Sequence, residues 1–483
     1  MDIGQFFTAA DLLGISPEII LTVTAFSVLT LEMVHVFRPE IKLMVAALGF
    51  LLAGAVTIST SGDEQILFGG MLSLNKFSMF FDFFYISIGL ATMILSQGYL
   101  EKMGSKFRGE YPALILFAII GMMLMTKAND LVMVFLGLEL LSLSLYVLVG
   151  FLRHNLYSNE SGLKYLLLGA FATGFFLFGA AMIYGATGTT NYNEIASAAT
   201  SGSILSKVYF SLGIGLLLIG FAFKVALVPF HMWSPDVYEG SPTSVTSFFA
   251  LIPKIAAITV FIRFMYVPFI NAINQWQAII IFLSIASMIV GAVAAIGQQN
   301  IKRLMAYSSI GHMGYALAGL ATGTNEGIQS LIIYLTIYLV MNLGAFGCIF
   351  MMKRENIFYE NINDLSGLSK NHPILAFSFL IILFSLAGIP PLAGFFAKFY
   401  IFMAVIEVKM YALAIIGLVT TVVSAFYYIR IIKVIYFDKP KKPFDKNYDF
   451  GLKISLILSS ILVLVYFIYP SILTDLVSSI EVY

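Results

Sequence analysis

Residues 210–230 read Phe-Ser-Leu-Gly-Ile-Gly-Leu-Leu-Leu-Ile-Gly-Phe-Ala-Phe-Lys224-Val-Ala-Leu-Val-Pro229-Phe230. The apolar run that holds them starts near Ser203. A helix needs about 20 predominantly apolar residues to cross a bilayer, so this run predicts a membrane span. Lys224 and Pro229 are the two residues that such a span should avoid. Whether they are accidents depends on the rest of the chain.

The 483 residues are 60% hydrophobic and 11% charged, and the mean hydropathy is +0.94. A soluble domain carries about 25% charged residues, so a soluble globule is excluded. Disorder is excluded too, because disordered chains are poor in apolar residues. The fold class expected is an all-α polytopic membrane protein. Hydrophobic runs predict about fourteen transmembrane helices, over 16–36, 41–60, 74–97, 111–127, 129–151, 162–188, 203–230, 241–267, 275–297, 300–321, 326–352, 371–408, 410–436 and 450–471. The seventh and twelfth are broken, at Pro229 and at Gly388-Ile-Pro390-Pro391. The net charge of +1 gives no global basic field, so no nucleic acid is expected as a partner. One cysteine, Cys348, excludes an internal disulfide and a cysteine-based metal or cluster site. The first charged residues are Asp2, Asp11 and Glu18, whereas a secretory signal opens with positive charge, so the first apolar run is expected to be retained.

Cytoplasmic loops collect Lys and Arg. With fourteen spans and both termini outside, 19 of the 27 cations fall on the inner side. Five fall on the outer side: Lys76, Lys127, Lys207, Arg263 and Lys409. The remaining three, Lys224, Lys254 and Lys398, lie inside apolar runs, as does Glu139 in Leu-Gly-Leu-Glu-Leu-Leu-Ser.

A charge near the bilayer centre costs about 2.5–3.5 kcal/mol on insertion scales. Lys254 cannot snorkel out of it, being about thirteen residues, or roughly 20 Å, from the start of its expected helix. The plainer reading of one buried lysine is a paired structural charge. Four buried ionisable groups, two beside broken helices, point instead to a path for ions or protons. Lysine suits that work: burial disfavours its ammonium form, so it can load and release a proton, whereas arginine stays charged. Unwound backbone at membrane depth is tolerated only inside protein or along a wet cavity. A lysine beside such a break occurs twice here.

The chain also resembles itself at an offset of 169 residues. Tyr146-Val-Leu-Val-Gly150 matches Tyr315-Ala-Leu-Ala-Gly319, Tyr165 falls on Tyr334, and Glu139 falls on Ser308. Five helices separate the copies, so they are expected to be inverted, which is a transporter architecture. The expected organisation is a single membrane domain: helices 1–3 over 1–100, a first five-helix repeat over 110–267, a second over 275–437, and a last helix over 450–471. The second copy offers Ser308, Ser309 and His312 in place of the glutamate, and His312 is a candidate proton relay. The chain carries no dinucleotide fingerprint, P-loop or haem-type pattern. It is therefore expected to hold no cofactor and to take its energy from a partner or an ion gradient.

The segment Phe221-Ala-Phe-Lys224-Val-Ala-Leu-Val-Pro229-Phe-His231-Met-Trp-Ser-Pro235-Asp236-Val-Tyr-Glu-Gly240-Ser-Pro242-Thr resembles the signature of the antiporter-like subunits of respiratory complex I. Its Met-Trp-x-Pro-Asp-Val-Tyr-x-Gly form is similar to the subunit N group. Lys302-Arg-Leu-Met-Ala-Tyr-Ser-Ser-Ile-Gly-His312 and Gly388-Ile-Pro-Pro-Leu-Ala-Gly394-Phe-Phe-Ala-Lys398 resemble the same family. The resemblance covers nearly the whole chain. It implies two inverted five-helix repeats and proton translocation driven by quinone reduction in other subunits. It also implies that Glu139, Lys224, Lys254, His312 and Lys398 carry the proton. NADH, flavin, iron–sulfur clusters and quinone are then expected in partner subunits, with no metal or cofactor in this chain. The implied partners are other membrane subunits of complex I, the lipid bilayer and protons, and the implied location is a bacterial inner membrane. The alternative reading is a subunit of a multi-subunit cation/proton antiporter.

Overall fold

In a computed structural model of the chain, residues 8–34, 39–60, 64–103, 109–198, 204–355, 357–445 and 450–480 are described. The first helices are α1 (Ala9–Gly14), α2 (Ser16–Met33), α3 (Pro39–Ser59), α4 (Lys76–Met103), α5 (Glu110–Lys127), α6 (Leu131–Val149) and α7 (Leu156–Thr187). Then follow α8 (Tyr192–Ala198), α9 (Ile204–Val225), α10 (Trp233–Gly240), α11 (Thr243–Leu251), α12 (Pro253–Tyr266), α13 (Ile273–Ile296) and α14 (Ile301–Ala321). The rest are α15 (Asn325–Phe350), α16 (Leu368–Asn371), α17 (Pro373–Ala387), α18 (Ala393–Glu407), α19 (Tyr411–Phe437), α20 (Phe450–Val465) and α21 (Ser471–Ser478). A short antiparallel hairpin, β1 (Gln65–Leu67) with β2 (Leu72–Leu74), pairs Gln65 with Leu74.

Local chemistry sets several helix starts. Asp130 accepts the Val132 N–H at 2.8 Å to cap α6, and Asn155 does the same for α7. Asn300 caps α14 and Thr324 caps α15. Each satisfies an N–H that the first turn leaves without a partner. α7 ends at Gly188, whose φ of +78° suits a glycine.

Eleven helical stretches among the described residues are long and apolar enough to cross a membrane. Pro373–Ala387 and Phe450–Val465 are shorter apolar helices. The all-α polytopic class read from composition is the class observed. The stretch Thr243–Tyr266 is 100% buried inside the protein, whereas Leu156–Thr187 is only 28% buried. α11 and α12 therefore form the centre of the bundle, and α7 is peripheral. On α7, Leu163, Leu167, Phe171 and Phe178 are exposed, as lipid-facing positions should be. Lipid gives apolar helices no hydrophobic reason to associate, so close packing must hold them together. Glycines allow it: a Cβ on Gly121 of α5 would meet the Gly137 carbonyl of α6 at 2.6 Å. A Cβ on Gly291 of α13 would meet the Gly311 nitrogen of α14 at 2.4 Å.

Both expected breaks are present. α9 stops at Val225, Ala226 has φ +62°, and α10 starts at Trp233. α17 stops at Gly388, and α18 restarts at Ala393. α17 and α18 have 15 residues each, about 22 Å of helix, so neither crosses the roughly 30 Å core alone. A third break was not expected. The run 241–267 is interrupted at Ile252, with Pro253 opening α12. Lys254 is thus the second residue of a helix, not a position thirteen residues into one.

Charge placement needs a second correction. Lys76, Lys207 and Lys409 are exposed, but Lys127 and Arg263, expected at the outer surface, are buried. Each has a partner within the chain: carboxylates for Lys127 and a backbone carbonyl for Arg263. Lys302, expected on the inner side, is also buried, against Glu360. Of the other inner-side cations, Arg38, Lys106, Arg108 and Lys446 lie outside the described residues, as does the side chain of Lys102.

Candidate functional site

The five candidate residues come from helices at or beside the centre of the bundle. Glu139, Ser142 and Tyr146 are three and four residues apart on α6, which puts them on one face. Glu139 is half-buried, and the Thr173 hydroxyl of α7 donates to its Oε1 at 2.7 Å. Lys224, in the last turn of α9, donates to Ser142 Oγ at 2.6 Å and reaches Tyr146 OH at 3.5 Å. No ion pair joins Lys224 to Glu139 among the described residues; Ser142 lies one turn along α6 from the carboxylate. A small cavity beside Lys224 is lined by Ser142, Tyr165 and Pro253. It lies between Lys224 and Pro253, which opens the helix of the second lysine.

Lys254 is 1% exposed and donates to Ser309 Oγ of α14 at 2.7 Å. Its Nζ also lies 4.9 Å from the Tyr238 ring centre. The buried hydroxyls of Tyr238 and Tyr338 both interact with the Ser309 side chain, so the neighbourhood of Lys254 is polar.

His312 sits one turn after Ser309 on α14. Its Nδ1 is 2.6 Å from Tyr334 OH, and its Nε2 is 3.2 Å from Tyr428 OH. Tyr428 OH also bonds Ser308. Lys398 of α18 donates to the carbonyls of Leu386 and Ala387, at 3.3 and 3.2 Å. These are the carbonyls that the break leaves free at the end of α17, where the helix dipole is negative. Lys398 Nζ also lies 4.9 Å from the Tyr315 ring centre.

The five residues fall into polar groups: Glu139, Ser142 and Lys224; Lys254 with Ser309, and His312 one turn along α14; and Lys398, whose charge acts on His312. Lys224, Lys254 and Lys398 have no carboxylate within ion-pair distance among the described residues. Each is solvated by hydroxyls, carbonyls and aromatic faces. The paired-charge reading of these lysines is therefore not what the structure contains. Tyr146 borders Lys224, and Tyr315, 169 residues further on, borders Lys398.

The sequence reading missed Ser142 and the tyrosine hydroxyls, because such residues are common in apolar helices; it had named Ser309. It also missed a buried charge cluster of Glu18, Asp82 and Lys127. Glu18 and Asp82 lie in apolar runs, so the criterion that singled out the lysines would have found them if applied to carboxylates.

One end of the bundle carries a cavity of about 470 Å³, with Lys164, Asp236, Glu239, Lys302 and Glu360 among its lining. Asp236 there bridges Lys164 at 2.9 Å and Arg303 at 2.8 Å. The cavity provides a charged, water-accessible approach to the α10–α11 segment.

The pattern of a family described as NADH:quinone oxidoreductase/Mrp antiporter, TM, matches residues 128–424. Those residues hold all five candidates. A relative named NADH-quinone oxidoreductase subunit N from Pelagibacter ubique is 54% identical over 471 residues, covering 97% of this chain and 98% of its own length. The chain belongs to this family, in its subunit N group. Another member, from Rhodospirillum rubrum, is 48% identical over 466 residues, 95% of this chain and 94% of its own. A chain of respiratory complex I from Thermus thermophilus superposes with a TM-score of 0.81 at 32% identity, over 95% of this chain and 98% of that one. A chain of the Mrp complex from Dietzia shares the fold, with a TM-score of 0.85 at 21% identity, over 96% of each chain. Family members of both kinds thus share this helix arrangement, and sequence identity places the chain on the subunit N side.

Proposed function

We propose that this chain translocates protons across a bacterial inner membrane as the subunit N component of an NADH–quinone oxidoreductase. The observation that carries the reading is three buried lysines with no carboxylate partner among the described residues, each set against hydroxyls, carbonyls or aromatic rings. A permanently ion-paired lysine would hold its proton. A lysine solvated only by hydroxyls and carbonyls can exchange it. Protons enter from the charged cavity near Lys164 and Asp236, pass Lys224, Lys254 and His312, and leave from Lys398. Glu139 acts on Lys224 across Ser142, from one helical turn away. The gap between carboxylate and lysine is the element that a neighbouring subunit can open or close.

In this reading the chain crosses the membrane fourteen times, counting α14, the broken α17–α18 pair and α20 with the eleven long spans. Helices 1–3 precede two inverted five-helix repeats, over 110–267 and 275–437, and a last helix follows. Both termini face outward. NADH, flavin, iron–sulfur clusters and quinone belong to partner subunits, whose quinone reduction drives the protons here.

Isolating the native complex tests the assignment. Flavin, iron–sulfur clusters and quinone reductase activity should co-purify with the chain. Isolation with other membrane subunits alone would favour an antiporter complex instead. The mechanism is tested by Lys224→Ala in the assembled complex. Electron transfer should persist while proton pumping falls, and unchanged pumping would refute the role given to Lys224.

A further inference from the structure

Glu18, Asp82 and Lys127 converge at one end of the bundle, apart from the three lysines. Glu18 is in the first turn of α2, Asp82 near the start of α4, and Lys127 the last residue of α5. All three side chains are at most 4% exposed. Lys127 Nζ contacts Glu18 Oε1 and lies 2.8 Å from Asp82 Oδ2. Glu18 Oε2 and Asp82 Oδ1 are buried with no donor in the protein. Two buried carboxylates thus share one ammonium, and each keeps an unused oxygen.

Hydroxyls lie between the cluster and the helix of the central lysine. Tyr85, one turn after Asp82 on α4, meets Thr126 Oγ1 at 3.0 Å. Tyr85 OH also interacts with the side chain of Thr259 on α12. Thr259 is five residues after Lys254, about 7.5 Å along the helix. Arg263, further along α12, donates to the Thr126 carbonyl at 2.8 Å, and its Nε has no partner. Tyr85, Thr126 and Thr259 thus form a group of hydroxyls between the cluster and the helix that carries Lys254; ordered water completes the path at its two ends, to Asp82 and to Lys254.

We infer that the Glu18–Asp82–Lys127 cluster is a second proton-exchange site, taking a proton from Lys254 and passing it to the end of the bundle that carries β1 and β2. The inference rests on the proton-translocating reading above. In the step, the Lys254 ammonium loses a proton and becomes a neutral amine. The proton moves along the Tyr85, Thr126 and Thr259 hydroxyls and forms an O–H bond on the Asp82 carboxylate. With that proton, the cluster has one ammonium, one carboxylate and one neutral acid. Without it, two carboxylates share the single Lys127 ammonium. Both states keep the same contacts to Lys127, so the proton can come and go without moving a helix. Glu18, at the helix end, is the member nearest to release.

The test uses the assembled complex in proteoliposomes, with electron transfer and the ratio of protons pumped to NADH oxidised read together. Lys254→Gln, Asp82→Asn and the double variant form a cycle. Asp82→Asn should lower the ratio by the share that leaves through the cluster, the double variant should fall no lower than Lys254→Gln alone, and Asp82→Glu should restore pumping. If Lys254→Gln lowers the ratio while Asp82→Asn and Glu18→Gln both leave it normal, the cluster is only a brace and the inference is wrong. If neither cluster variant assembles, its role is structural and the inference is equally overturned. A normal ratio in Lys254→Gln would refute the translocation reading itself, and the two failures are thereby distinguished.

Discussion

Gly388→Ala tests whether the break in the second half holds Lys398 for function. Gly388 has φ +86° and ψ +36°, a left-handed conformation that costs a residue with a Cβ about 1–2 kcal/mol. The added Cβ would also lie 3.2 Å from Lys398 Cδ and 3.3 Å from Nζ. The lysine must then yield by a few tenths of an ångström. Its bonds to Leu386 and Ala387 are already long, at 3.3 and 3.2 Å, so a further shift should cost one of them. A hydrogen bond to a charged group contributes about 1.5–3 kcal/mol. The local loss is thus about 2.5–5 kcal/mol, against a factor of ten for each 1.4 kcal/mol in the population of the engaged lysine. The assay is proton pumping relative to NADH oxidation in proteoliposomes, with assembly checked by native gel. Assembly and electron transfer should survive while pumping per NADH falls. The control is Gly174→Ala on α7, where the new Cβ meets nothing within 4 Å and the helix should gain about 0.5–1 kcal/mol. Equal pumping in the two variants would refute the claim that the Gly388 turn positions Lys398.

Gly121→Ala places its Cβ 2.6 Å from the Gly137 carbonyl and 2.8 Å from the Leu141 nitrogen. Backbone cannot yield as a side chain does, so the α5–α6 crossing should loosen at a cost of about 1–3 kcal/mol. A thermal melt of the complex should shift downward, and an unchanged melt would show that the helices separate freely. Asp11 ties α1 to the β1–β2 hairpin, accepting from the Phe68 N–H at 2.6 Å and from the Thr8 hydroxyl and N–H at 2.7 and 2.8 Å. The Phe68 bond above all, then the Thr8 bonds, hold its carboxyl below the usual value. A lowered carboxyl stabilises the folded contact above the ordinary aspartate range, near pH ~4. That contribution is lost as pH falls through the lowered value. The protection factor of the Phe68 amide, corrected for intrinsic exchange, should therefore be steady at neutral pH and fall only in acid. Protection that fades already near neutral pH would contradict this.

The broken helices were readable because proline and glycine act locally: Pro229 and Gly388-Ile-Pro390-Pro391 interrupt a helix whatever surrounds them. The break at Pro253 was less legible. Proline is welcome in a first helical turn, and the flanking residues are as apolar as an unbroken span. Lys224, Lys254 and Lys398 stood out because a charge in an apolar run is costly wherever the helix sits. Lys127 and Arg263 did not, being at helix ends where surface and interior positions look alike in sequence.

Composition and hydropathy alone determined the class, since every residue of a bilayer-crossing helix must suit lipid or apolar protein. They also picked out Glu139, Lys224, Lys254 and Lys398, by the cost of placing such groups there, whereas His312 came from the self-resemblance of the chain. Tertiary packing alone decided their partners. Ser142 stands beside Lys224 and Ser309 beside Lys254 because helices distant in sequence cross at those points. The same packing gathers Glu18, Asp82 and Lys127 from three helices. A sequence records the cost of burying each charge, but the groups that offset it come from other helices, and their identity depends on which faces meet.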